Sequence, residues 1–326
     1  MEKRMRNILI GSSLAAVGMG IAGAAHMATT KYLVNVALNR EVPRHTAGAG
    51  QKISGMEVDE KWLRLRAQAA DHLRQKTCET VQTLGRSNVK LVGHWLEHPK
   101  AQRVIVAMHG WRSGGCEDFG FVVDFWQENG CSILFAEQRG QGESGGEHMG
   151  FGLLERHDCV SWAQWVNQRC GDTLPVYLCG VSMGASTVLM AAGLELPKNV
   201  RGIIADCGYT SPEAIWRYVA KDNLGVSYGS RSAAVNDLCR RKIQMGIGDY
   251  SCVDAMAECE VPVLFVHGTD DKFVPIEMTY ENYKACTGPK RLFIVPGAGH
   301  GMSYLMDTTG YQKAMKDFWA DFDQGE

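Results

Sequence analysis

The chain has 326 residues, of which 45% are hydrophobic, enough for one large packed domain or two small ones. Its 34 basic and 36 acidic residues give a formal net charge of −2 and form no long run of one sign. This excludes the strongly basic face of a nucleic-acid-binding protein, so we expect a small-molecule or short-peptide substrate and no nucleic-acid partner.

The first thirty residues are typical of an export signal or a membrane anchor. Three basic residues within the first six precede residues 7–30, which contain no Asp, Glu, Lys or Arg. A segment of this length matches the ~20 residues that span a bilayer, so residues 1–30 are predicted to anchor an extracytoplasmic domain. Cleavage near Ala22-Gly23-Ala24, giving a secreted protein, and a buried N-terminal helix are the alternatives. Deleting residues 1–30 is then expected to leave a soluble, active protein.

The rest of the chain shows the alternation typical of an α/β domain. Residues 31–79 are predicted to form a linker and an N-terminal helix, with helical spacing over 58–76. Beyond them, short apolar runs alternate with amphipathic stretches. The predicted strands are 80–84, 89–96, 104–108, 133–136, 176–179, 203–205, 261–266 and 292–295. Residues 80–326 are therefore predicted to form a mostly parallel central sheet with helices on both faces.

One interval interrupts this alternation. More than fifty residues separate the sixth and seventh predicted strands, well beyond the length of a single helical crossover. Because the interval contains Trp216, Tyr218 and Tyr228, we expect a small helical cap over the site at about 209–260.

A candidate nucleophile follows the fifth predicted strand. Gly180-Val181-Ser182-Met183-Gly184 has the pattern G-x-S-x-G and directly precedes a helical pattern. A serine on a sharp strand-to-helix turn needs glycines on both sides, because side chains there would clash. The N-terminus of the following helix would also stabilise a developing oxyanion.

A base and an acid for this serine lie after later strands. His300 stands between glycines in Gly297-Ala298-Gly299-His300-Gly301, directly after the last predicted strand. The segment from His267 to Pro275 follows the preceding strand and carries Asp270 and Asp271, either of which could orient the histidine. The order Ser, Asp, His is the one associated with this sheet topology.

With these motifs, the chain resembles an α/β-hydrolase from about residue 80 to the C-terminus. It is similar to bacterial esterases and to serine-aminopeptidase-like or prolyl-oligopeptidase-like hydrolases with an N-terminal membrane segment. The family's H-G-x-x-D-x-x-V-P pattern implies Asp271 as the acid, with Asp270 as the alternative. Its H-G loop, here His109-Gly110-Trp111, implies an oxyanion hole formed by the backbone N–H groups of Trp111 and Met183. Glu137 replaces the usual Asp of the motif D-x-R-G-x-G-x-S, at a structural position.

This resemblance implies a serine hydrolase that needs neither a cofactor nor a metal. A carboxylic ester is the expected substrate; a serine peptidase and a non-catalytic binding protein on the same fold are the alternatives. The eleven cysteines include no C-x-x-C pair and are expected to be mostly reduced.

Two further motifs match other classes of site. His94-Trp95-Leu96-Glu97-His98 fits a zinc-peptidase pattern that requires a helix, but its residues alternate as in a strand and Pro99 follows. Gly140-x-Gly142-x-x-Gly145 fits a dinucleotide-binding pattern, but no helix is predicted directly after it.

Overall fold

The computed structural model describes residues 23–41 and 60–324. The strands are β1 Glu79–Leu84, β2 Lys90–Leu96, β3 Arg103–Met108, β4 Cys131–Ala136, β5 Val176–Val181, β6 Val200–Asp206, β7 Val263–Gly268 and β8 Lys290–Val295. The helices are α1 (23–38), α2 Glu60–Arg74, α3 Gly115–Phe119, α4 Val123–Glu128, α5 Glu155–Cys170, α6 Met183–Ala191, α7 Pro212–Tyr218, α8 Ser232–Ile243, α9 Cys252–Ala257, α10 Ile276–Ala285, α11 Ser303–Met306 and α12 Thr308–Phe322.

The eight strands form one sheet in the order β1-β2-β4-β3-β5-β6-β7-β8. The pairs β1–β2 and β2–β4 are antiparallel, and the other pairs are parallel. Strands β3, β4 and β7 are buried along their whole lengths, as expected for strands covered on both faces. The predicted mostly parallel sheet is confirmed, and all eight predicted strands are present with small shifts at their ends.

Helices cover both faces of this sheet and define two apolar cores. One core includes Trp162 of α5 and Val188 of α6. The other includes Trp126 of α4 and Phe318 of α12. Because each face is covered, the edge formed by the carboxyl ends of the parallel strands remains the place where loops from different strands meet.

The predicted cap corresponds to α7, α8 and α9, which lie between β6 and β7. A π-helical turn over Val219–Asn223 extends α7, and a short 3₁₀ segment over Gly229–Arg231 leads into α8. Ser211 caps the N-terminus of α7, where its hydroxyl accepts a hydrogen bond from the N–H of Ala214 at 3.0 Å.

Helix α1 packs against the domain that follows it. Thr30, Val34, Val36 and Leu38 are buried, whereas Tyr32 is 42% exposed. The predicted boundary between residues 30 and 31 therefore falls inside one helix, and residues 31–38, predicted as linker, belong to a packed element. None of the helices within 23–41 and 60–324 has the length and apolar character of a membrane span. Most of the predicted anchor, residues 1–22, lies outside the described residues, so the anchor stays a prediction.

The cysteines are free thiols. All eleven fall within the described residues, and eight of them are buried. Burial raises the pKa of the Cys131 and Cys239 thiols to about 12, so they remain protonated at neutral pH.

The contact between the start of α6 and the end of β3 generates a stability prediction. A methyl group at Gly184 would overlap the carbonyl oxygen of Met108, a backbone atom that cannot rotate away. We expect Gly184→Ala to lower the free energy of unfolding by at least about 2 kcal/mol, measured by urea denaturation. Gly229→Ala is the matched control, because an added Cβ there meets nothing within 4 Å, and should stay within about 0.5 kcal/mol of the parent. Equal effects of the two substitutions would contradict this packing.

Candidate active site

Ser182 stands on the turn between β5 and α6. Its backbone has φ 56° and ψ −115°, a conformation that residues other than glycine rarely adopt. The Ser182 N–H donates to the carbonyl oxygen of Asp206 in the adjacent strand β6 at 2.9 Å, which holds the turn in this conformation. An added Cβ at Gly180 would overlap the carbonyl of Gly184, so the motif's two glycines are required by the tightness of the turn.

His300 lies in the loop between β8 and α11 and contacts Ser182. Its Nε2 is 2.9 Å from Ser182 Oγ, although the two residues are 118 positions apart in the chain. The ring of Phe273 packs edge-on against the imidazole, with a centroid distance of 4.9 Å. The structure thus brings together the predicted nucleophile and base at hydrogen-bonding distance.

Asp271 lies on the other side of His300, in the loop after β7. Its Oδ2 is 2.7 Å from His300 Nδ1, and its Oδ1 accepts hydrogen bonds from the N–H groups of Phe273 at 2.8 Å and Val274 at 2.9 Å. Asp270 is exposed and accepts a hydrogen bond from the hydroxyl of its neighbour Thr269. Of the two aspartates, Asp271 is the one that contacts His300.

His267 is a contact of this site that the sequence analysis did not single out. It is buried at the end of β7, with Nε2 2.9 Å from the carbonyl oxygen of Val274 and 3.2 Å from Asp271 Oδ2. Its Nδ1 is 2.7 Å from Thr279 Oγ1. An Nε2–H that donates to Val274 and Asp271, with Nδ1 accepting from Thr279, satisfies all three contacts. The i to i+4 spacing of His267 and Asp271 across the loop was the available sequence signal.

The two central titratable groups shift each other's pKa. Burial would lower the pKa of His300, but the negative charge of Asp271, the hydrogen bond to it and the contact with Cys207 together outweigh burial and raise that pKa. Burial would raise the pKa of Asp271, but the charge of His300 and hydrogen bonds from both His267 and His300 hold it below its usual range. Asp271 therefore stays ionised throughout the neutral range.

Cys207 is a second neighbour of His300 that sequence reasoning missed. It directly follows β6, has φ 51° and is buried. Burial raises the pKa of its thiol to about 11, which keeps it neutral at pH 7. The ligand atoms of Cys207, Asp271 and His300 lie within 4.8 Å of one another, a donor set that zinc accepts. An ion there would have to displace the hydrogen bond between His300 and Asp271.

The predicted oxyanion-hole residues flank Ser182. Met183 is the first residue of α6, and Trp111 lies in the loop after β3; an added Cβ on the neighbouring Gly110 would be 3.5 Å from Ser182 Cβ. Across residues 23–41 and 60–324, neither the Trp111 N–H nor the Met183 N–H donates a hydrogen bond. Two unpaired backbone donors beside a serine hydroxyl are suited to stabilising an oxyanion.

A cavity of about 110 Å³ opens above Ser182. Its floor includes Ser182, Met183 and Trp111, and its walls come from α1, from the cap and from the loop carrying Phe273.

The zinc-peptidase pattern at His94 and His98 is not on a helix. His94 lies in β2 and pairs with Glu137 at 3.0 Å, whereas His98 lies beyond the end of the strand, where its Nδ1 accepts a hydrogen bond from the N–H of Lys100. The strand conformation prevents the one-faced arrangement of histidines that this pattern requires.

The coupling between Asp271 and His300 predicts a change in titration. Asp271→Asn should lower the pKa of His300, because it removes the negative charge that favours the imidazolium, so the imidazole loses its proton at a lower pH. The pKa is read from the His300 ring resonances in a pH series by NMR. Asp270→Asn removes a charge one residue away and should leave that pKa nearly unchanged. Equal shifts in the two variants would mean that Asp271 has no special contact with His300.

The chain is similar to a family of hydrolases and to several uncharacterized bacterial proteins. Residues 99–223 match the family model described as serine aminopeptidase, S33, which is less than half of the chain. The uncharacterized protein YqkD of Bacillus subtilis is 27% identical over 193 residues, which cover 58% of this chain and 62% of that protein. The uncharacterized protein YfhR of Escherichia coli K12 is 23% identical over 252 residues, 74% of this chain and 80% of that protein. The match with YqkD thus spans less than two thirds of that relative's length.

Solved structures share the architecture at low identity. The Pyrococcus furiosus esterase Pf2001 superposes with a TM-score of 0.62 at 17% identity, over 82% of this chain and 96% of the esterase. The dienelactone hydrolase of Anabaena variabilis gives a TM-score of 0.55 at 19% identity, over 77% of this chain and 100% of that hydrolase. The sheet order, the nucleophile turn and these likenesses together show that the chain has the fold of the α/β-hydrolase superfamily.

Proposed function

We propose that the protein is a serine hydrolase that cleaves a carboxylic ester, with Ser182 as nucleophile, His300 as general base and Asp271 as the orienting acid. The observation that carries the proposal is the unbroken chain from Ser182 Oγ to His300 Nε2 at 2.9 Å and from His300 Nδ1 to Asp271 Oδ2 at 2.7 Å. Ser182 lines the cavity, where a substrate carbonyl can reach its hydroxyl.

In the first half of the reaction, Ser182 Oγ attacks the carbonyl carbon while His300 Nε2 takes the hydroxyl proton. Asp271 remains ionised and stabilises the imidazolium that forms, consistent with the lowered pKa of its carboxyl. The N–H groups of Trp111 and Met183 receive the oxyanion of the tetrahedral intermediate. His300 then returns the proton to the departing alcohol oxygen as the C–O bond breaks, leaving an acyl group on Ser182.

In the second half, water replaces the alcohol. His300 takes a proton from this water, whose oxygen attacks the acyl carbon. The second tetrahedral intermediate collapses with return of the proton to Ser182 Oγ, which releases the carboxylic acid and restores the hydroxyl.

The lining of the cavity favours an ester substrate over a peptide substrate with a free N-terminus. An aminopeptidase must bind the substrate's α-ammonium group, for which a carboxylate is the natural partner. Among the described residues that line the cavity, Arg231 is the only charged side chain, and it would repel that group. The matched family model describes a serine aminopeptidase, so peptide cleavage is the second candidate.

Replacing the nucleophile provides the first test. Ser182→Ala should lower kcat on a chromogenic ester by roughly 10⁴-fold or more, because the loss is chemical and a smaller side chain fits the turn. A fluorophosphonate probe should label the parent protein at Ser182 and should not label the variant. Retention of more than about a hundredth of the parental kcat, or an unlabelled parent protein, would favour a non-catalytic binding protein.

Replacing the acid provides the second test. Asp271→Asn should lower kcat on the order of 10⁴-fold, because the amide favours the wrong imidazole tautomer. Asp270→Asn should have little effect, since the Asp270 side chain is exposed and accepts its hydrogen bond from the neighbouring Thr269 hydroxyl. Aminoacyl and prolyl amides assayed beside the ester report whether peptide bonds are preferred. If Asp270→Asn proves the more damaging substitution, the assignment of the acid is wrong.

A further inference from the structure

Helix α1 forms one wall of the cavity above Ser182. Thr30, Leu33, Val34, Val36 and Ala37 all line it, facing residues of the cap. We propose that α1 and the cap together form a binding site for the acyl part of the substrate, and that this part is an apolar chain. This inference rests on the proposed function, because it assigns the substrate class of the same site.

The chemistry of the walls selects an apolar chain. Almost all of the lining side chains are aliphatic or aromatic, and the single cation among them, Arg231, is bonded to α1 through Nη1. Its Nη1 donates to the carbonyl oxygen of His26 at 2.7 Å and to Thr30 Oγ1 at 2.8 Å, so the guanidinium binds α1. A polar or charged substrate group would lose hydration in this cavity, whereas each buried methylene gains free energy.

The sequence of steps in the proposed reaction indicates that the cavity binds the acyl group. The alcohol must leave and water must reach the acyl carbon before the second half begins. The group that stays bound to Ser182 through both halves is the acyl chain, and a chain held by apolar walls remains in place during this exchange.

The wall is held firmly because α1 is bonded to the loop that carries Trp111. Trp111 Nε1 donates to the carbonyl oxygen of Ala37 at 3.0 Å. Arg112 Nη2 donates to the carbonyl oxygens of Val36 at 2.8 Å and Asn39 at 2.6 Å, at the C-terminus of the helix. A cation is favourable there, because the helix dipole leaves negative partial charge on these carbonyls.

This packing revises the expectation for a shortened protein. Deleting residues 1–30 would cut α1 and remove Thr30, a wall residue, so the acyl site would be damaged. Deleting residues 1–22 leaves the described part of α1, residues 23–38, in place. We expect the shorter deletion to retain activity on long acyl chains and the longer one to lose it.

A series of esters tests the acyl site. With p-nitrophenyl esters from acetate to octanoate, kcat/KM should rise about three- to fourfold per methylene until the cavity is filled. In a second series, acetate esters of alcohols from ethanol to octanol should show little dependence on length. Equal kcat/KM for acetate and octanoate, or a rise that follows the alcohol instead, would overturn the proposal.

Two substitutions on the same helix localise the effect. Ala37→Phe places a ring in the cavity and should lower the ratio of kcat/KM for octanoate to that for acetate at least tenfold. Ala28→Phe is the matched control, because Ala28 is exposed on α1 and does not line the cavity. If Ala37→Phe does not fold, Leu33→Ala, which removes wall contacts from a half-buried position, should lower the octanoate-to-acetate ratio several-fold. The proposal is wrong if the folded wall variant, Ala37→Phe or Leu33→Ala, has the same octanoate-to-acetate ratio of kcat/KM as Ala28→Phe.

A binding measurement separates this proposal from the proposed function. Ser182→Ala cannot form an acyl-enzyme, so titration calorimetry with methyl octanoate reports binding alone. Binding that Ala37→Phe or Leu33→Ala weakens, with no ester hydrolysis by the parent protein, would leave the acyl site standing and overturn the proposed function. Ester hydrolysis by the parent protein without a preference for long acyl chains would overturn the acyl site and leave the proposed function standing.

Discussion

A carboxylate removed from water costs free energy unless other donors replace the lost hydration, and the Asp271 side chain is fully buried. Two backbone donors, from Phe273 and Val274, occupy one oxygen, and the imidazoles of His267 and His300 contact the other. The loop after β7 must close around Asp271 to supply the backbone donors. The conformation of that loop therefore fixes both the ionised state of the carboxylate and the direction in which His300 presents Nε2 to Ser182.

The distance between Ser182 and His300 depends on a second buried aspartate, Asp206 at the end of β6, through both its backbone and its side chain. Its carbonyl oxygen accepts the Ser182 N–H, and its Oδ1 accepts the hydroxyl of Ser303 at 2.9 Å, three residues beyond His300. Burial raises the pKa of the Asp206 carboxyl group. The hydrogen bond from Ser303 lies in the same buried region and holds the loop that carries His300. One residue thus connects the strained nucleophile turn with the loop that carries the base, which explains how two segments far apart in the chain reach hydrogen-bonding distance.

The sequence predicted those parts of the molecule that local chemistry determines. All eight strands were found because buried parallel strands are continuous apolar runs rich in β-branched residues, and Ser182 was found because its turn demands glycines. The contact of Cys207 with His300 was not predictable, since it arises only when loops from different strands meet. For α1 the sequence favoured an anchor over a packed helix, because a mostly apolar segment has a similar composition whether it packs against lipid or against protein. Only the partner surface, which includes Trp111 and Arg231, distinguishes the two.

Arg112 connects α1, which forms one wall of the cavity, with the loop that carries Trp111. Its backbone has φ 53°, and partial burial lowers the pKa of its guanidinium. Within the described residues, its side chain donates hydrogen bonds to the backbone carbonyls of Val36, Asn39 and Arg40, at and just beyond the end of α1. A half-buried cation is stable only where such dipoles replace water, so separating α1 from the domain would leave this charge uncompensated. Arg112 directly follows Trp111, whose N–H faces the reacting carbonyl in the proposed mechanism. The contacts that close the acyl cavity are therefore the same contacts that hold this donor in position.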